Sequence, residues 1–190
     1  MRKLTIALTL ITALTVWELR AQRPEVATGE PGRLAAEWMA RFNALDQWSL
    51  SREGREVGLV QAVDRFMELY ASDVIANVPL HDPDQIGPVM LRGSEQLRKW
   101  AEKIARTQVR TDYIIPRQTE KQFQGIELIY STPLPWGGLG VSFPVIAAYS
   151  QRVDRRRFVG QGVVILQVGE DKKIHRFRLY LSEVDEVQPI

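Results

Sequence analysis

KKIHRFRLYLSE, residues 172–183, alternates through its centre: Phe177, Leu179 and Leu181 fall on one side, and Arg176, Arg178 and Tyr180 on the other. A period of two marks a strand with one face buried and one face exposed. Working backward, strand-like patterning recurs near 157–168, 143–153, 122–131 and 110–117. Asp154–Arg156 and Gly169–Lys172 read as short turns. A longer loop holds Pro133, Pro135, Trp136, Gly137, Gly138 and Gly140. Strands so closely spaced are expected to pair antiparallel in sequence order.

Before residue 109 the period is helical. Leu34, Trp38, Phe42 and Leu45 form one apolar stripe, with Ala35 and Met39 beside it. Val60, Val63, Phe66, Met67 and Tyr70 mark a second helix, expected to end near Ser72-Asp73. Leu97, Trp100, Ala101 and Ile104 mark a third, with Ser94 as its expected N-cap. Between the last two lie a short strand, Val74–Leu80, and a loop, His81–Gly93, interrupted by Pro83, Gly87 and Pro88. Helices segregated to one side of an antiparallel sheet define an α+β domain. A curved sheet wrapped around three amphipathic helices also encloses a concave space suited to a small molecule.

The amino-terminal end is of another kind. Arg2 and Lys3 precede an apolar run, Leu4–Trp17, and Leu19-Arg20-Ala21 supplies a cleavage site. This is the pattern of a signal peptide over residues 1–21. The rival reading is an uncleaved anchor, although the run falls short of the roughly 20 apolar residues of a bilayer span. Residues 22–33 are expected to be a flexible lead-in, and 34–190 the domain. A periplasmic or secreted location follows, with no membrane attachment after cleavage. Without Arg2, Lys3, Arg20 and Glu18, 22 basic and 22 acidic residues remain, so the mature chain has no general attraction for nucleic acid. Arg155, Arg156 and Arg157 form the only dense basic run and read as a solvated hairpin tip. The chain has no cysteine, which excludes disulfides and thiolate chemistry, and its two distant histidines argue against a metal site. No cofactor is expected.

Three stretches resemble the SnoaL-like, ketosteroid-isomerase-like superfamily, also called nuclear-transport-factor-two-like: FMELYASDVIANVPL at 66–80, LRGSEQLRKW at 91–100, and KKIHRFRLYLSE at 172–183. The resemblance spans roughly residues 34–185. It implies a cone-shaped curved sheet around three helices, a cystatin-like α+β barrel. It also implies isomerases, polyketide cyclases, epoxide hydrolases and dehydratases as possible activities, so chemistry has to be argued from the site. By resemblance, Asp82 in His81-Asp82-Pro83 matches the general base of the isomerases, with His81 beside it. The carboxylic acid those enzymes use as an oxyanion donor falls near Val164. The final-strand aspartate of the limonene epoxide hydrolases falls at Leu179. Asn77 matches a polar pocket residue of that group, and Glu127 stands near one of its aspartates. Both catalytic sets are thus incomplete.

From the residues themselves, Asp82 also reads as a turn residue before Pro83. Tyr70, Trp100, Tyr149, Phe177 and Leu179 are candidates to line an apolar pocket or simply to form core. The expected partner is a small apolar molecule. The outer sheet face with Arg176, Arg178 and Tyr180 is the expected contact of a homodimer.

Overall fold

In a computed structural model of the chain, the structure describes residues 29–45, 55–79, 88–114, 129–151, 156–181 and 185–187. His81, Asp82 and Glu127 lie outside the described residues, as do the residues read as a signal peptide and Arg155 of the arginine run.

The first helix, α1 (Glu30–Ala44), starts four residues earlier than its apolar stripe suggests, because Pro31 sits at a helix start where its missing N–H costs nothing. Its buried face is Ala35, Trp38, Met39 and Phe42, continued by Leu45 just beyond the helix. Helix α2 (Arg55–Met67) buries Leu59, Val63, Phe66 and Met67. It stops three residues before Tyr70. The Leu69 carbonyl there accepts the Ile174 N–H at 2.8 Å, which pulls the chain into the sheet. Tyr70 therefore opens strand β1 (Tyr70–Pro79) rather than closing a helix.

Strand β2 (Pro88–Arg92) lies in what the sequence presents as loop. Among the described residues it is the sheet's edge and pairs only with β1, and Pro88 occupies its terminal position opposite Pro79. An edge strand tolerates a residue that cannot donate. Helix α3 (Gly93–Thr107) follows without a break. Arg92, not Ser94, holds the cap position, and its N–H is satisfied by Gln96 Oε1 at 2.8 Å.

Strands β3 (Gln108–Ile114), β4 (Tyr130–Pro133), β5 (Leu139–Gln151), β6 (Arg157–Val168), β7 (Ile174–Leu181) and β8 (Asp185–Val187) complete one sheet. Its order is β2-β1-β7-β6-β5-β3, with β4 also on β5 and β8 also on β6. The sheet is mixed, curved and unclosed. Its pairings are antiparallel except that of β1 with β7, which is parallel. Along one side of β5, β4 pairs with Leu139–Ser142 and β3 with Ile146–Gln151. Pro144 falls in the gap between them, so its missing N–H interrupts no ladder on that side.

The inner face of the sheet closes on the helices through rings. Trp38 stacks on Phe42 at 4.8 Å and meets Phe177 at 5.5 Å, Phe143 at 6.0 Å and Phe66 at 6.3 Å between centroids. Trp100 joins this cluster through Phe42 and Phe177, each at 6.0 Å. The last strand alternates as its sequence does: Phe177 and Leu179 are buried, and Arg176, Arg178 and Tyr180 are exposed.

Candidate functional site

The two ends of the cone differ. At the end where β1 enters, the interior is filled with packed rings. The Trp38 indole N–H donates to the Tyr70 hydroxyl at 2.8 Å, inside a shell of Phe66 and Phe177. Burial pushes the Tyr70 phenol well above its ordinary value of 10.0, and the bond from Trp38 offsets only part of that. A neutral Tyr70 in the fold and a titrating one in the unfolded chain make stability fall as pH rises above about 10. The stability lost between about pH 8 and about pH 11, measured by urea unfolding at each pH, should therefore be smaller in Tyr70→Phe than in the parent, whatever the absolute stability of the variant. Equal losses would refute this role.

Toward the end where β1 exits stand two further buried rings, Trp100 and Tyr149. The Trp100 indole N–H donates to the Pro79 carbonyl at 3.4 Å, which sets the ring beside the strand that leads to His81 and Asp82. Tyr149 stacks on its cross-strand neighbour Phe158, with centroids 5.2 Å apart and an interplanar angle of 22°. Burial raises the Tyr149 phenol as well. Among the residues whose burial is described, Gln108 is the one fully buried polar side chain.

Two residues gain meaning from register. Val164 of β6 and Leu179 of β7 are direct partners, both on the inner face and both essentially inaccessible. These are the positions at which the resemblance would put catalytic carboxylic acids. Side by side, they form a hydrocarbon patch that can neither donate to an oxyanion nor activate water.

Asn77 is placed differently from the sequence expectation. It alternates with buried Ala76 and Val78 and pairs with Met90 and Arg178. It therefore belongs to the outer face and does not line the interior, because one step along a strand reverses the face. Phe177 and Leu179 are core residues, sealed between sheet and helices.

Clefts lined by described residues open at the surface against the aromatic core. One, of about 210 Å³, lies between α1 and the start of β7 and includes Trp38, Arg41, Glu68 and Lys173. Its cations are engaged: Arg41 bonds Glu37 at 2.7 Å and Glu68 at 2.9 Å, and Lys173 bonds the Glu68 carbonyl at 2.5 Å. The other, an open groove of about 570 Å³, runs from α2 to the start of α3 past Tyr70 and contains the Arg98–Asp64 ion pair at 2.7 Å. The enclosed cavity that the sequence suggests between the three helical stripes is occupied, at the level of Trp38, by the stacked rings. Bulky rings at four helical and two strand positions leave no room there.

His175 lies on the surface between Asp171, at 3.1 Å from Nε2, and Asp73, at 3.4 Å from Nδ1. Among the described residues no cluster of three side chains is arranged to hold a metal ion, and no helix is long and apolar enough to cross a membrane. The Trp38–Tyr70 bond and the Tyr149–Phe158 stack are the features that sequence reasoning missed. The first joins residues 32 apart, and no local pattern signals such a pairing.

No protein-family model and no curated protein matches the sequence. Solved structures do match in shape. One is a protein assigned as a scytalone dehydratase, from Novosphingobium aromaticivorans, at TM-score 0.56 and 13% identity over 94% of this chain and 93% of that one. Another is SalBIII, an epoxide hydrolase/cyclase-like enzyme of pyran ring formation in the polyether salinomycin, at TM-score 0.51 and 14% identity over 83% and 95%. A third is a protein of ketosteroid isomerase-like fold from Catenulispora acidiphila, in complex with trimethylamine, at TM-score 0.50 and 12% identity over 85% and 88%. With its three helices inside an unclosed, curved, mixed sheet, the chain has the nuclear-transport-factor-two-like, ketosteroid-isomerase-like cone fold.

Proposed function

We propose that the protein is an exported domain that binds a small apolar molecule at the β1-exit end of the cone and does not itself catalyse a reaction. The observation that carries this reading is the Val164–Leu179 pair, hydrocarbon where catalytic acids would stand. The aromatic walls of Trp100 and Tyr149 support an apolar ligand, because flat rings bury large area at low entropic cost. The structural neighbours include an assigned dehydratase and a cyclase-like enzyme, so the competing reading is an isomerase, polyketide cyclase or dehydratase using Asp82 with His81 as general base. Use of the fold as an assembly domain of a cell-envelope complex is a third reading, tied to a retained anchor. A thermal-shift screen of apolar and aromatic compounds should raise the melting temperature of the parent and of Asp82→Asn equally. No stabilising compound would count against the pocket. Loss of stabilisation or of turnover in Asp82→Asn alone would favour the enzyme.

The outer sheet face supports a homodimer. Ser142, Ile165, Arg178, Asn77 and Met90 form one row across it, and Pro144, Val163 and Tyr180 the next. Partly exposed aliphatics ringed by arginines suit a self-complementary contact. Native mass spectrometry of the protein recovered from the periplasm of a bacterial host should find a dimer of chains beginning at Gln22. Monomer alone would remove the dimer, and an intact Met1 would remove cleavage.

A further inference from the structure

The β4–β5 hairpin carries Leu134-Pro135-Trp136-Gly137-Gly138 at its tip. The tip is a closed turn: the Leu134 N–H donates to the Gly138 carbonyl at 3.2 Å, and the Gly137 N–H to the Leu134 carbonyl at 3.0 Å. Gly138 presses on the Val168 carbonyl, and Gly137 faces the Glu170 side chain. The tip and the β6–β7 turn therefore form one block. On that block Trp136 is 67% exposed, with Pro133 and Pro135 exposed beside it. An indole held out on a braced turn adds little to the packing of its own fold, which points to an outside contact.

The same β6–β7 turn holds the start of α1, through Lys172 and Glu30 at 2.9 Å. The chain preceding Gly29 thus joins the domain at the Trp136 pole. That chain contains the apolar run Leu4–Trp17, and twelve residues, from Glu18 to Gly29, separate the run from the helix. Their reach is at most roughly 40 Å, so a run embedded in a bilayer keeps this pole close to it.

We propose that, while the amino-terminal segment is attached, the Trp136 pole lies against the lipid bilayer with Trp136 in the headgroup layer. The proposal rests on the reading of Leu4–Trp17 as a membrane-directed segment. Tryptophan and tyrosine favour that layer because an apolar ring and a polar N–H or O–H are both satisfied there. Tethering makes the contact intramolecular in effect, so one exposed indole suffices. The charges of the turn balance, Glu170 and Asp171 against Lys172 and Lys173, so the indole sets the contact and it persists at high salt.

The absence of cysteine permits single-site labelling. Full-length Thr132→Cys and Arg157→Cys variants, at exposed positions on opposite ends of the sheet, are labelled with nitrobenzoxadiazole and mixed with phosphatidylcholine vesicles. The chain should float with the vesicles. Label emission at 132 should rise severalfold and shift to the blue, label at 157 should not respond, and Trp136→Ser should abolish most of the response at 132. A chain that does not float overturns the membrane-directed reading and the proposal together. A chain that floats with no response at 132, an equal response at both sites, or a response unaffected by Trp136→Ser overturns the proposal alone.

Discussion

Trp38→Ala should lower the stability of the fold by about 3–5 kcal/mol, measured by urea unfolding. The side chain is wholly inaccessible and meets Phe42 of α1, Phe66 of α2, Phe143 of β5 and Phe177 of β7. It ties both amino-terminal helices to the sheet, and no neighbouring ring can move into its place without giving up another contact. Truncation also strands the Tyr70 hydroxyl, which has no other donor among the described residues. Trp38→Phe separates these effects. It keeps most of the ring and loses the N–H, so it should cost about 1–3 kcal/mol, the range for a buried group left unsatisfied. A loss below about 1 kcal/mol for Trp38→Ala would mean that the aromatic cluster does not organise the interior.

Gly138→Ala should cost at least about 3 kcal/mol, for a backbone reason. Gly138 has φ +87°, in the left-handed region, and a Cβ there would stand 2.1 Å from the Val168 carbonyl oxygen and 2.9 Å from Gly169 Cα. Neither atom is the end of a flexible side chain, so the hairpin tip must lift off the β6–β7 turn. Gly93→Ala is the control. Its φ is similar at +80°, but its nearest contact would be an ordinary 3.6 Å from the Ser72 carbonyl. That variant should show the conformational cost alone, about 1–2 kcal/mol. Equal losses in the two variants would show that the contact with Val168 carries no weight.

The parts of the fold legible in the sequence are those governed by local period. Phe177 and Leu179 alternate with Arg176, Arg178 and Tyr180, and the structure buries the first pair and exposes the other three. The stripes of α1 and α3 are likewise buried as their spacing requires. Tyr70 was misleading because it continues the helical spacing of Val63, Phe66 and Met67. A bond from the distant Ile174 N–H to Leu69 decides the issue instead. Pro88 reads as a strand breaker, yet at a sheet edge it breaks nothing. Edge and centre are properties of the assembled sheet and leave no local mark.

By itself, then, the sequence determined the three helical stripes and the alternating strands with their apolar faces, but not β2 or β8, because side-chain period follows from helix and strand geometry within a few residues. It also determined the absence of thiol chemistry and the apolar amino-terminal run. Tertiary structure alone decided that β1 lies parallel to β7, that Asn77 faces outward beside Arg178, and that Trp38 donates to Tyr70. It also decided that Val164 and Leu179 are partners and that Trp136 shares a pole with the start of α1. Each of these joins residues from well-separated parts of the chain. Such pairings are selected by the simultaneous fit of all elements around one core, a condition that no short window of sequence contains.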